Sequence, residues 1–140
     1  TLETMDAGSH LQLHFGAIDW NSTVYLNRKP LGTHVGGYDE IVYTIDPSAL
    51  NPTGNELIVY VFDPSDTGSQ PNGKQRISAI SDPRGDTYTP SSGIWQTVWI
   101  ESVPDVYVLR IPNPSSSPFL LSTLHLLGYV LHCHVLMHSD

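Results

Sequence analysis

One cysteine, Cys133, stands in 140 residues, so no disulfide can form within the chain and the redox compartment stays open. Basic residues are also scarce, six Lys and Arg against 14 Asp and Glu, a formal net charge of −8. Without a Lys/Arg cluster to neutralise phosphates, nucleic acid and anionic lipid are poor partners, and a neutral polar ligand or another protein surface fits better. No basic-then-apolar leader opens the chain. Thr1 stands where an initiator Met would be, which reads as a trimmed or partial chain and leaves the parent's location undetermined. No internal repeat is visible.

What is present favours strands. Hydrophobic residues make up 39%, and Gly and Pro number 11 each, a composition that is globular and rich in turns. Residues 10–17 alternate, with Leu11, Leu13 and Phe15 inward. A turn over 17–21 holds Asp19, Trp20 and Asn21, and Asn21-Ser22-Thr23 is a glycosylation sequon if the protein is secreted. Residues 23–26 form a short strand, and 27–30 a hairpin connection into 31–35. Gly36 and Gly37 open a second turn before the strand 40–45. Asp46 caps one helical turn with Pro47 at its first position. Residues 56–62 are the most strand-like run of all.

The chain is organised around residues 88–101. The second half, 94–101, reads as one strand with Ile94, Gln96, Val98 and Ile100 on one face and Trp95, Thr97 and Trp99 on the other. Between it and the strand 56–62 lies a polar connection of about 30 residues, long enough to be functional or lid-like. Residues 106–111 are expected to add one more strand, and 112–118 read as a Pro/Ser linker. Short strands with a turn every eight to twelve residues or so predict an all-β chain, an antiparallel β-sandwich or jelly roll.

Six stretches then fall in a familiar order. L-H-F-G-A-I-D-W (13–20), V-Y-L-N (24–27), G-T-H-V-G-G-Y-D (32–39), G-N-E-L-I-V (54–59), G-K-Q (73–75) and Y-T-P-S-S-G-I-W-Q-T-V-W-I-E-S-V-P (88–104) resemble the sugar-binding, galactose-binding-like jelly-roll domain of glycoside hydrolase family 2. That family includes β-galactosidases, β-glucuronidases and β-mannosidases. The resemblance implies carbohydrate as ligand, and immunoglobulin-like and TIM-barrel domains as partners within a parent enzyme that hydrolyses O-glycosidic bonds. Two barrel glutamates, roughly 5 Å apart, would do that chemistry with retention. A barrel of about 250 residues does not fit here, so no residue is assigned as catalytic. Glu40, Glu56 and Glu101 read as solvated carboxylates at strand ends or termini. Residues 1–104 would be the sandwich, its first strands missing or replaced by 1–9, which leaves an edge with exposed hydrogen-bonding groups.

In the family the sugar-binding domain lends loop residues to the rim of the barrel's pocket. The long loop offers Asp66, Gln70, Lys74, Gln75, Arg76 and Tyr88, whose donors and acceptors suit sugar hydroxyls. Substrate contact is expected at Trp20, against the alternative of packing, and at Asp66, Gln75 and Tyr88, against the alternative of a solvated loop. Trp95 and Trp99 could stack on a sugar, although alternation within a strand favours core packing. His10 and His14 share a face without ligand geometry and read as structural.

The end of the chain differs in kind. Residues 119–137 carry no charge over 19 positions, but three His, a Ser and a Thr make a poor membrane span. His132, Cys133, His134 and His138 resemble the H-C-H-x-x-x-H stretch of multicopper oxidases, which implies copper. Those enzymes need further His-x-His pairs that this chain lacks, so adventitious copper or zinc is the remaining expectation, with no resident cofactor. The tail, 119–140 after the linker segment 105–118, is expected to be irregular or helical and foreign to the sandwich, as a changed reading frame or retained intron after about Val108 would produce. Two other readings stay open: a free-standing carbohydrate-binding module, and a copper- or zinc-binding protein.

Overall fold

The computed structural model describes residues 9–107 and 131–138. Their strands are Ser9–Phe15 (β1), Ile18–Asp19 (β2), Asn21–Leu26 (β3), Lys29–Val35 (β4), Ile41–Ile45 (β5), Asn55–Phe62 (β6), Gly93–Ile94 (β7), Val98–Pro104 (β8) and Leu131–His138 (β9). The only helical pieces among the described residues are two 3₁₀ turns, Pro47–Ala49 and Ile77–Ile80, and none is long and apolar enough to cross a membrane. The chain is all-β.

Alternation builds two layers. In β1, Leu11, Leu13 and Phe15 are buried, and Ile41 and Ile45 of β5 join them beneath the sheet β5-β1-β8. In the second sheet, β4-β3-β6-β9, Val24 and Leu26 of β3 pack with Leu57, Val59 and Val61 of β6. These residues and Ile18 form one core between the two sheets, a β-sandwich. Among the described strands, pairings are antiparallel except β6 with β9.

Turn chemistry fixes the β3–β4 register. Asn27 (φ 49°) and Arg28 (φ 66°) make a two-residue loop whose primed-type twist matches the strands, and Leu26 pairs with Lys29. Pro30 lies inside β4, which is tolerated because β4 is an edge strand. The Asn27 amide donates to Ala49 O and Asn55 Oδ1, both at 2.8 Å, and its Oδ1 accepts from Glu56 N at 2.9 Å. Asp46 caps the first 3₁₀ turn as expected, accepting from Ser48 N at 2.8 Å.

The strand expected over 94–101 is broken. β7 pairs with β2, the chain bends at residues 95–97, and β8 resumes beside β1. Gly16 N donates to Thr97 O at 2.8 Å and Trp95 N to Ala17 O at 3.4 Å, so two antiparallel stretches turn together from one layer toward the other. A Cβ at Gly16 would lie 2.8 Å from Gln96 Cβ; only glycine permits the approach. The expected faces break up accordingly. Ile94 and Ile100 pack on the core, whereas Gln96, Val98 and Trp95 are exposed.

Residues 105–107 are not strand, and the rest of the strand expected over 106–111 lies outside the described residues, as do 112–130. In place of the irregular or helical tail expected there, residues 131–138 form β9, which covers the outer edge of β6. Backbone groups that a missing edge strand would have left bare are thereby paired.

Candidate functional site

Register brings three loops to one end of the sandwich. Asn21 lies opposite both Val35 and Phe62, so β3 begins where β4 and β6 end. The connection through Trp20, the turn 36–40 and the long loop 63–92 therefore emerge together, next to the β2–β7 ladder.

Asp63, the first residue of the long loop, is buried and organises it. Its Oδ1 accepts from Ser65 N at 2.9 Å and from the Gln70 amide at 3.1 Å, and its Oδ2 accepts from Ser92 Oγ at 2.5 Å. The Asp63–Ser92 bond closes the loop at its two feet. Gln70, also buried, donates to Ser65 O at 2.6 Å, packed where a side chain at Gly68 would collide. Further out, Gln75 and Tyr88 form a bridge, with Tyr88 N donating to Lys74 O at 3.0 Å and Arg76 N to Tyr88 O at 2.9 Å. The connection is thus a folded Ω-like excursion rather than a slack solvated loop.

Asp19 sits beside this anchor. Burial pushes its carboxyl above the usual carboxylate range, and the charge of Asp63 adds to the effect. Its Oδ1 packs against Gly37, where a Cβ would come within 2.8 Å of it. Gly37 O accepts the Trp95 indole N–H at 2.7 Å, and Tyr38 meets the Trp95 ring edge to face, centroids 5.9 Å apart at 77°. Trp95 is nonetheless 52% exposed and Tyr38 66%. The core packing favoured for Trp95 is therefore not what the fold provides.

Of the expected substrate contacts, Trp20 is half-buried at this end, its carbonyl accepting from Gly36 N at 3.1 Å. Asp66 and Gln75 have internal tasks: Asp66 Oδ1 accepts from Ile77 N at 3.2 Å, and Gln75 Oε1 from Ser91 N at 2.6 Å. Tyr88 holds the bridge through its backbone and leaves its ring 65% exposed. Lys74 pairs with Asp86 at 3.2 Å, and the Arg76 guanidinium turns to Gly73 O and Gln75 O. Sequence reasoning passed over Asp19, Tyr38, Asp63 and Ser92 as site residues; three carry a signal, since they lie in the D-W, G-G-Y and S-G-I-W stretches.

Trp99 and the histidines belong elsewhere. Gln12 and His14 lie on the outer face of the three-stranded sheet yet are buried. Trp99 stacks on the His14 ring at 4.6 Å and 10°. His14 Nδ1 shares a hydrogen bond with Glu40 Oε1 at 3.2 Å, while Nε2 lies 2.9 Å from Glu101 Oε1 but off the hydrogen-bond direction. The imidazole fills the space between these two carboxylates, so they do not face each other across a substrate gap. His10 pairs with Asp105 at 2.8 Å, and Gln12 donates to Tyr107 Oη at 2.7 Å, which supports the structural reading of both histidines.

Among the described residues no three His, Cys, Asp or Glu side chains gather to hold a metal ion. The side chains of His132, Cys133, His134 and His138, on β9, lie outside the described residues.

No family model matches the chain. Over 109 residues, 76% of its length, it is 30% identical to a protein of Formosa agariphila named "Putative beta-glucuronidase". The chain spans 12% of that protein's length. The relationship is distant, and it links this β-sandwich to a glycoside hydrolase by name.

Proposed function

We propose that the chain is the sugar-binding, jelly-roll domain of a family 2 glycoside hydrolase of the β-glucuronidase, β-galactosidase and β-mannosidase class. Catalysis would belong to a barrel domain elsewhere in the parent protein, and this domain would lend polar loop residues to the rim of its pocket. Asp66, Gln75, Tyr88 and Trp20 remain the proposed contacts. The observation that carries the reading is the convergence, at one sandwich end, of a stapled loop rich in amides and carboxylates with exposed aromatic rings, in a chain related over three quarters of its length to a protein named as a glucuronidase. Such a mixture of flat apolar faces and fixed polar groups suits carbohydrate.

The chemistry among the described residues supports binding rather than hydrolysis. Asp19 and Asp63 are close enough to raise one carboxyl, but Asp63 is occupied by three donors and buried under its loop. Glu40 and Glu101 are separated by an imidazole. The test is calorimetry of the 140-residue chain with methyl galactoside, methyl glucuronide and methyl mannoside, alongside nitrophenyl glycosides. The expected outcome is saturable heat with at least one sugar and no turnover above buffer. Turnover that co-purifies with the chain, or no heat with any sugar, refutes the reading.

A further inference from the structure

We propose that Trp95 and Tyr38 form a stacking platform for an uncharged pyranose ring, and that the acidic side chains around it disfavour uronic acids. The inference rests on the carbohydrate reading above, but it names a surface apart from the long loop and fixes the charge of its ligand.

Three observations carry it. First, Trp95 is an exposed aromatic with its one polar group already used: the indole N–H is fixed on Gly37 O at 2.7 Å. The ring is held in place before any ligand arrives, so stacking would not have to order it. Second, Tyr38 stands edge to face against it, centroids 5.9 Å apart, so the two rings make an angled apolar surface. Pyranose C–H faces match such surfaces, and sugar hydroxyls at the rim would stay in water. Third, the turn beside it carries carboxylates. Asp39 follows Tyr38, Asp19 packs on Gly37, and Asp63 is close enough to perturb Asp19. The described cations are engaged or distant: Arg28 and Lys29 sit at the hairpin on the opposite end, and Lys74, Arg76 and Arg84 bond within the long loop. A ligand carboxylate would meet repulsion with no Lys or Arg among the described residues placed to offset it.

The test uses the full chain, methyl β-glucopyranoside as neutral probe and methyl β-glucuronide as its charged counterpart, read by the Trp95 indole N–H resonance and by tryptophan fluorescence. The neutral probe is expected to shift the Trp95 signal, with the glucuronide about tenfold weaker at low salt and the gap narrowing near 1 M salt. Tyr38→Ala, which leaves the Trp95–Gly37 bond untouched, should weaken the neutral probe about tenfold, and Trp95→Ala more; circular dichroism confirms that each variant folds. Equal binding of the two sugars, or sugar binding unchanged in both variants, overturns the platform while leaving the carbohydrate reading intact. Absence of binding by any glycoside overturns both. If instead either variant abolishes self-association of the chain and no sugar moves Trp95, the surface is a protein contact and the proposal fails.

Discussion

Replacing Asp63 by Ala removes the anchor of the long loop, and its cost follows from the bonds it makes. The carboxylate accepts from Ser65 N, the Gln70 amide and Ser92 Oγ. Hydrogen bonds to a charged group contribute about 1.5–3 kcal/mol each, but three on one carboxylate are not additive. The buried Gln70 amide would keep only its bond to Ser65 O. A loss of about 3–5 kcal/mol on urea unfolding is therefore expected, a large share of a small domain's stability. Two finer signatures separate this from general damage. Amides of residues 64–91 should exchange faster than those of β3 and β6, because the Ser92 clasp that closes the excursion is gone. Asp19 should titrate lower than in the wild type, since one of the two causes of its raised carboxyl is removed while burial remains. Carboxyl carbon NMR of the mutant reads that titration directly. A loss under about 1 kcal/mol, or an Asp19 midpoint that does not fall, would refute the anchoring role.

Further expectations follow from other residues. Asp19→Asn should stabilise the chain at pH 7: a raised carboxyl carries no penalty below its unfolded value near 3.9 and its full penalty above its folded value, so wild type loses stability as pH climbs through that window and the variant does not. Urea midpoints from pH 3 to 7 check the slope. Tyr43 has a buried hydroxyl with no partner among the described residues, and burial raises its phenol above the usual value near 10. Tyr43→Phe should therefore be neutral or stabilising by up to about 1 kcal/mol, and it should blunt the alkaline loss above pH 10, where the unfolded phenol ionises first. Gly16→Ala should cost about 1–3 kcal/mol by thermal melting, because the new methyl meets Gln96 Cβ rather than a yielding side-chain tip.

Local rules made much of the sandwich legible. β1, β3 and β6 declare themselves by alternation, the Asn27–Arg28 loop by turn chemistry, and Asp46 by its cap, all decided within a few residues. The interruption between β7 and β8 is hidden, because it is packed against Gly16, about 80 positions away, and a periodic run of β-branched and aromatic residues gives no sign that its partner bends. An unbroken strand puts Trp95 in the core, but once the strand breaks its parity no longer predicts its face. His14 shows the opposite error of parity, outward by alternation yet buried, since Trp99, Glu40 and Glu101 close over it. The site was half legible. The long loop is legible from its length, but the residues that hold it, Asp63 and Ser92, meet only once 29 positions of chain are closed. β9 escaped because parallel pairing with a distant strand leaves no local trace.

The paired stretches around Gly16 and Thr97 have a mechanical consequence. Stacked sheets meet mainly through non-directional contacts, which resist sliding less than ladders of hydrogen bonds do. Here the backbone bonds from Gly16 to Thr97 and from Trp95 to Ala17 carry the β1–β8 pairing on into the β2–β7 ladder, so splaying the corner where these strands leave their sheet would have to tear directional bonds. Trp95 therefore stands on a hydrogen-bonded corner rather than on a loose connection, its own backbone N–H being one of the bonds that hold it.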